Sequence, residues 1–189
     1  ATVLLALLRA ERSGFPLPGG LPEDAAGVLR SMRFPDGQFN YGTYLRNDPK
    51  IPLMPLGAGA RTQACALALY EDGKRGGRDP GLKILQESLK GFFEGADYLE
   101  LGRKRVIPHR DAPYMVSGYM FFYGYFYAAE SLAHLPHAKR EGQADAIVAT
   151  MLRTQENNGS WWDTLCYDYG DKWGTAFALM SLGRALESL

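Results

Sequence analysis

Apolar residues along the chain fall into two kinds of segment. Four segments are apolar around most of a helical circumference, and they cover residues 2–8, 62–70, 114–135 and 175–186. Three segments between them are apolar on one face only, at the spacing of an amphipathic helix, and they cover 25–32, 82–99 and 144–152. An all-round apolar helix is buried on several sides, whereas a one-sided helix lies at a surface. The pattern predicts about seven helices in which buried and surface helices alternate.

Proline and acidic residues mark where these helices begin and end. Pro22 is followed by Glu23 and Asp24, and Asp79–Pro80 precedes the second one-sided segment, as is typical of helix starts. Pro136 is expected to end the long aromatic segment. No stretch alternates apolar and polar residues between hairpin turns, so the sequence predicts an all-α fold with essentially no sheet.

Strict alternation of buried and surface helices is what two concentric rings of helices require. Each one-sided helix would belong to the outer ring, and each all-round apolar helix would lie between that ring and the centre. The alternative is an irregular helical bundle. We expect a single domain over 1–189, built from αα-hairpin repeats with alternating inner and outer helices. The repeat units cover about 22–72, 79–135 and 140–188, and 1–11 is an orphan inner helix.

A turn that combines glycine with aromatic residues occurs twice along the chain. Residues 155–162 read Gln-Glu-Asn-Asn-Gly-Ser-Trp-Trp, and residues 34–39 read Phe-Pro-Asp-Gly-Gln-Phe after an earlier one-sided helix. The matched positions are Arg33 with Gln155, Gly37 with Gly159, and Phe39 with Trp161. A unit that recurs constrains the architecture more strongly than any single residue.

The later turn resembles a known repeat. Gln155, Gly159 and Trp161 match the Gln-x-x-x-Gly-x-Trp pattern of the QW repeat of squalene and oxidosqualene cyclases. Its flanks at 149–152 and 173–179 resemble the repeat shared by terpenoid cyclases and protein prenyltransferase β-subunits. The resemblance implies an α/α toroid, in which six hairpins close around a central cavity.

Three hairpins and one leading helix are fewer than the six hairpins of a complete ring. We therefore expect a partial or open toroid. Either the remainder of a longer chain or a second copy would complete it. The chain begins at Ala1 inside a predicted helix, which suggests a processed or excised piece of a longer protein.

Composition excludes several classes of function. With 46% hydrophobic residues the chain can bury a core, and 21 basic residues balance 21 acidic ones, unlike the basic surface of a nucleic-acid binder. No apolar run approaches the ~20 residues that span a bilayer. We expect a soluble protein without a transmembrane segment, and the compartment stays open between the cytoplasm and export. Cys65 and Cys166 lack the short paired spacing of a zinc or redox motif.

The resemblance also implies chemistry for which this chain has few residues. Class II terpenoid cyclases use an Asp-x-Asp-Asp acid, which is missing, and Asp168 with Asp171 is the nearest acidic pair, with helix capping as the alternative. Prenyltransferase β-subunits hold zinc with Asp, Cys and His, for which Asp163, Cys166 and His109 are the candidates at a different spacing. The Gly-Cys-Gly-Glu-Gln loop of complement-type thioester domains is missing as well. We expect no metal and no cofactor.

Aromatic and cationic residues are the candidates for ligand binding. Tyr119 and Tyr123 belong to a segment with aromatic residues on every side, some of which would line a cavity, with plain packing as the alternative. Arg61 and Lys172 precede two buried helices, whose N-termini favour an anionic group. Trp162 adds an aromatic ring in the later turn.

The first hypothesis is a non-catalytic toroid domain of a larger protein that binds a hydrophobic or peptide-like ligand at the end where these residues meet. The long segment 34–60 would cover that opening. One alternative is a terpenoid-cyclase-like or prenyl-transferring enzyme whose catalytic motif lies outside this chain. The other is a carbohydrate-active helical toroid.

Overall fold

A computed structural model of the chain describes residues 1–35, 37–40, 58–77, 81–105, 120–164 and 170–189. Over these ranges the chain forms eight α-helices and no strand, and Arg33 and Phe39 make an isolated bridge. The helices are α1 (Thr2–Arg12), α2 (Leu21–Ser31), α3 (Gly59–Arg75), α4 (Leu82–Glu94), α5 (Ala96–Gly102), α6 (Phe121–Leu132), α7 (His137–Thr154) and α8 (Gly170–Leu186). The predicted all-α class is confirmed.

One predicted helix is divided in two. The one-sided segment 82–99 breaks at Gly95, which ends α4 and precedes α5. Glycine lowers helix propensity by about 1 kcal/mol relative to alanine, so a break at this position is inexpensive. The buried stripe nevertheless continues across the break from Leu89 and Phe92 to Leu99. Hydrophobic periodicity therefore gave the buried face correctly and missed the break.

Helices begin near the predicted start signals wherever the structure describes the residues that carry those signals. Pro22 lies in the first turn of α2 together with Glu23 and Asp24. Pro136 immediately precedes α7, and the aromatic helix α6 has already ended at Leu132. Asp79–Pro80 lies outside the described residues. None of the described helices is both long and apolar enough to span a membrane.

Seven of the eight described helices pack in two rows, and the short α5 contacts α3 and α4. We define the first row as α1, α3, α6 and α8, in which each helix contacts the next. The second row is α2, α4 and α7, and each of its helices contacts two successive helices of the first row. With α5 left aside, the order along the chain alternates between the two rows.

The first-row helices run in the same direction and the row is curved. Near the N-terminus of α1, Thr2 Oγ1 lies 3.2 Å from the hydroxyl of Tyr123 and 3.0 Å from that of Tyr127. Near its C-terminus, Arg9 pairs with Glu130 at the end of α6. These contacts join helices that are not neighbours in the row, which requires the row to bend. Because the helices are parallel, their N-termini lie together at one end of the first row and their C-termini at the other, and these are called its N-terminal and C-terminal ends.

The contact between α3 and α6 depends on one glycine. A Cβ at Gly124 would lie 3.1 Å from Ala60 Cα and 3.1 Å from the ring of Phe92. The close approach lets the buried Gln63 donate from Nε2 to the carbonyl of Gly124 at 2.8 Å. Burying a polar group is costly unless it is hydrogen-bonded, and this bond satisfies the Nε2 of Gln63. Phe92 also packs edge to face against Tyr125, with ring centroids 5.0 Å apart.

The two glycine-containing turns have the same hydrogen bonds. In the earlier turn the N–H of Phe34 donates to Gln38 O at 2.8 Å, and that of Gly37 donates to Phe34 O at 2.9 Å. In the later turn the N–H of Glu156 donates to Ser160 O at 2.9 Å, and that of Gly159 donates to Glu156 O at 2.8 Å. Gly37 and Gly159 both have a positive φ, of 90° and 84°, which favours glycine.

Each turn ends in a buried aromatic residue. Phe39 and Trp161 are both almost completely buried. The indole of Trp161 donates from Nε1 to Met151 O at 2.8 Å and so satisfies a carbonyl near the end of α7. The amide of Gln155 donates to Gly159 O at 3.0 Å and closes the later turn. The two turns thus share backbone geometry and differ in the side chains that brace it.

Candidate functional site

A cavity of about 360 Å³ opens at the N-terminal end of the first row. It lies between α1, α2 and α3, next to the start of α6. Its wall is mainly aliphatic, with contributions from Leu4, Ala25, Val28, Leu29, Met32 and Met120. Its polar side chains include those of Asn40, Arg61 and Tyr123. An apolar cavity with a few polar groups is the usual form of a small-molecule site.

The earlier turn positions Arg61. The Nε of Arg61 donates to the carbonyl oxygen of Phe39 at 2.8 Å. Because Phe39 is completely buried, its carbonyl is fixed and the guanidinium is held at the cavity wall. The N–H of Asn40, the next residue, donates to Met32 O at 2.9 Å and ties the turn to the end of α2. The repeated turn is therefore part of the site as well as of the scaffold.

Tyr123 contributes a neutral phenol on the other side. Its hydroxyl shares a hydrogen bond with Thr2, and its ring packs against Tyr127 with centroids 4.7 Å apart. Burial raises the pKa of Tyr123 well above its ordinary value. The phenol is then uncharged near neutral pH and can donate or accept a hydrogen bond. Burial likewise raises the pKa of the Cys65 thiol, which lines the same cavity, so it is not a ready nucleophile.

Asp163 follows the later turn, and its buried carboxyl group lies next to the first residues of α6. It is 2% exposed, and its Oδ2 accepts from the N–H of Phe122 at 3.4 Å. Burial raises its pKa to about 7, although backbone hydrogen bonds and the nearby Arg103 act in the opposite direction. The carboxyl is therefore part protonated near neutral pH, a property that buried catalytic acids share with purely structural carboxyls.

Trp162 and Lys172 lie elsewhere and are not among the described residues that line the cavity. The ammonium of Lys104 lies 4.3 Å from the centroid of the Trp162 ring and also pairs with Glu156. One face of the indole is therefore covered by a cation. Lys172 is exposed in the first turn of α8, where its N–H donates to the Asp171 carboxylate at 2.8 Å.

The other sequence candidates are only partly described. Tyr119, His109, Cys166 and Asp168 lie outside the described residues, as do 41–57 of the segment expected to cover the opening. The zinc set is therefore represented by Asp163 alone, and the acidic pair by Asp171 alone. Within the described ranges no three His, Cys, Asp or Glu side chains are grouped so that they could hold a metal ion.

Comparisons of the chain with family models, with curated proteins and with solved structures gave no match. The geometry of the cavity is therefore the basis for a functional inference. Two of the five predicted ligand-binding residues, Arg61 and Tyr123, line it. Sequence reasoning missed Asn40 and the aliphatic wall, because the stripe of α2 was assigned entirely to the core. Val28 of that stripe is 49% exposed, at the cavity.

Proposed function

We propose that this chain is a non-catalytic ligand-binding domain that forms part of an α/α toroid and holds a hydrophobic or peptide-like ligand in the cavity between α1, α2 and α3. The wall of that cavity carries the proposal. Aliphatic side chains surround a small polar set in which Arg61 provides the charge and Tyr123 the neutral hydroxyl. The remainder of a longer chain or a second copy would complete the ring.

Three features support the toroid. Successive helices alternate between two rows, the first-row helices are parallel, and contacts from α1 to α6 bend that row. The two glycine turns repeat the same hydrogen bonds at equivalent places, at the ends of α2 and α7. Repeated hairpins with a constant turn generate a constant curvature, which is the basis of closed helical rings.

The volume of the cavity and the charge of Arg61 indicate the size and the chemical class of the ligand. Its volume of about 360 Å³ lies within the usual size of small-molecule sites. The exposed Val3 and Val28 at its edge would be removed from water by an apolar body, which is favourable in proportion to the area buried. The guanidinium of Arg61 favours an anionic end group, since planar guanidinium and carboxylate groups pair well. We therefore expect an amphiphile or a short apolar peptide with a carboxylate.

Calorimetric titration with decanoate and with N-acetyl-leucyl-leucine tests this function. Ala25→Phe places a ring in the cavity and should weaken both probes by about tenfold or more, because an overfilled site must rearrange to admit a ligand. Arg61→Gln should weaken both, and Arg61→Lys should weaken them less because the charge is kept. Ala146→Phe, at an exposed position of α7, is the matched control and should bind like the parent chain.

Two results would overturn the assignment. One is equal binding by Ala25→Phe, Ala146→Phe and the parent chain. The other is no binding of either probe by the parent chain at millimolar concentration. Lys172→Gln and Trp162→Phe test the two predicted residues that lie away from the cavity, and we expect neither to change binding of these probes.

A second candidate function, a terpenoid-cyclase-like or prenyl-transferring enzyme, is favoured by one observation. Asp163 is buried and its pKa is raised to about 7, so a protonated carboxyl is present near neutral pH. Incubation with squalene, and with farnesyl diphosphate plus a thiol peptide, would reveal such an activity by product formation. Product that disappears in Asp163→Asn would support the enzyme, and product that persists in this variant would remove Asp163 from its mechanism.

A further inference from the structure

A second cavity of about 340 Å³ lies at the opposite, C-terminal end of the first row. The ends of α1, α3, α6 and α8 meet there with the start of α7. Charged side chains dominate its wall, including Arg9, Arg12, Glu71, Glu130, Arg140 and Arg184. A cavity of this kind does not suit an apolar ligand, so it differs in chemistry as well as in place from the aliphatic cavity.

The two central carboxylates of this cavity are already occupied. Glu71 accepts from Arg12 at 2.6 Å, and its Oε1 lies 3.2 Å from Nε2 of His134 and 3.5 Å from Nζ of Lys74. Its side chain is only 7% exposed. Burial lowers the pKa of His134, so the imidazole beside Glu71 is neutral at neutral pH.

Glu130 is paired on both sides. It accepts from Arg9 and, at 2.6 Å, from Arg184, and its side chain is 9% exposed. Arg9 and Arg184 lie in the last turns of α1 and α8, where the partial negative charge of a helix C-terminus favours cations. Helix ends and ion pairs therefore explain these arginines without any ligand.

Neither explanation covers Arg140. In the described part of the chain this residue has no ion pair or hydrogen bond, and its Nε is completely buried without an acceptor. It lies in the first turn of α7, which contains no acidic residue, and a cation at that end opposes the helix dipole. A buried N–H without an acceptor is destabilising, and more so when the group is charged.

We propose that the second cavity binds a small oxyanion, a phosphate or a carboxylate, with Arg140 as its anchor. An anion at this place would supply the missing acceptor for Nε and would interact favourably with the start of α7. Arg9 and Arg12 each donate one hydrogen bond within the described ranges and are about half exposed, so further N–H groups face the cavity. A guanidinium carries five N–H donors, and charge-assisted bonds to oxyanions are among the strongest in proteins.

Titration calorimetry with inorganic phosphate and with N-acetylglycine tests the proposal and separates its two sources of anion. N-acetylglycine stands for the carboxylate of a peptide C-terminus. Arg140→Gln should weaken the better probe by about tenfold or more, because the anchor is lost. Lys139→Gln removes the same charge from the neighbouring exposed position and should bind like the parent chain when chloride keeps the ionic strength constant.

Thermal melting checks that the variant is folded. Without an anion Arg140→Gln should melt at the same temperature as the parent chain or above it, since a buried N–H without an acceptor has been removed. Phosphate should raise the melting temperature of the parent chain and of Lys139→Gln by mass action, with little effect on Arg140→Gln. If Arg140→Gln does not fold, Arg140→Lys takes its place and should bind more weakly than the parent chain.

The proposal is overturned if Arg140→Gln binds as well as the parent chain, or if the parent chain binds neither probe at millimolar concentration. Arg61→Gln should leave phosphate binding unchanged, because Arg61 lies at the other end of the first row. The two variants therefore distinguish a loss of binding at one cavity from a loss of binding at the other.

Discussion

At the scale of single residues, burial changes the chemistry of several side chains in the described ranges. Asp163, Tyr123 and Cys65 all have a raised pKa because burial disfavours their charged forms. For Tyr123 and Cys65 the result is a neutral group at any ordinary pH. For Asp163 the shifted value falls at about 7, so this carboxyl alone among the three titrates in the range where proteins are normally studied.

Asp163 should make stability depend on pH. Its pKa rises from an ordinary 3.8 to about 7 on folding, so the stability associated with the bound proton is fully present below 3.8 and is lost as the pH rises through 7. Asp163→Asn, which cannot ionise, should be more stable than the parent chain at pH 8 by on the order of 2 kcal/mol. The difference should largely disappear at pH 4. Urea unfolding at both pH values measures it.

Asp145→Asn is the control for this prediction. Asp145 is exposed on α7, so the same substitution there should leave the pH dependence of stability unchanged. A parent chain whose stability is the same at pH 5 and pH 8 would contradict a buried, titrating Asp163.

At the scale of helices, the later turn fixes α8 through two contacts with backbone atoms. A Cβ at Gly174 would lie 2.5 Å from Trp161 O and 2.9 Å from Trp162 Cα, closer than real Cβ contacts allow. The side-chain oxygen of Thr175 accepts from the N–H of Trp161 at 3.0 Å. Turn and helix are therefore packed backbone to backbone.

Gly174→Ala should be strongly destabilising because the added methyl group meets backbone, which cannot move aside as a side chain can. We expect a loss of roughly 2–4 kcal/mol in the free energy of unfolding, as is typical of severe steric conflicts. Gly183→Ala in the same helix is the matched control, since its Cβ would meet nothing within 4 Å. It should stabilise the chain by up to about 1 kcal/mol through helix propensity. Equal effects in urea unfolding would show that α8 does not lie against the turn.

Much of this element structure could be predicted from hydrophobic periodicity, and the reason is physical. A helix that contacts neighbours on several sides needs apolar residues around its circumference, so α3, α6 and α8 were distinguishable from α2 and α7 by sequence alone. Periodicity is insensitive to a break that preserves the buried face, as at Gly95. It also gives no distance between helices in a row.

The residues of the candidate site could be predicted only in part, because hydrophobic periodicity does not show which helices lie next to each other. Arg61 was predicted at the N-terminal end of a buried helix and Tyr123 as an aromatic residue of a cavity wall, and they meet because α3 and α6 are neighbours. Lys172 was predicted by the same criterion as Arg61 but lies on α8, at the other end of the row from α1. Arg140 had no sequence signal, because its distinguishing feature is a missing acceptor.

At the scale of the whole molecule, the last helix of the first row leaves an apolar face uncovered in the described structure. On α8, Trp173, Leu179, Met180 and Leu186 are each at least 40% exposed. In the first row α3 and α6 have neighbours on both sides, whereas α8 contacts α6 on one side. In the proposed toroid the next helix of the ring would pack on this face.

A second copy of the chain is the occupant that can be tested directly. Contiguous exposed apolar surface favours association, so sedimentation velocity should show self-association that increases with protein concentration. Leu179→Glu places a charge on this exposed surface of α8 and should shift the chain to the monomer at concentrations where the parent chain associates. Leu152→Glu, at a 62% exposed position of α7 in the second row, is the matched control and should associate like the parent chain. A parent chain that stays monomeric at all concentrations would contradict a second copy as the occupant of this surface.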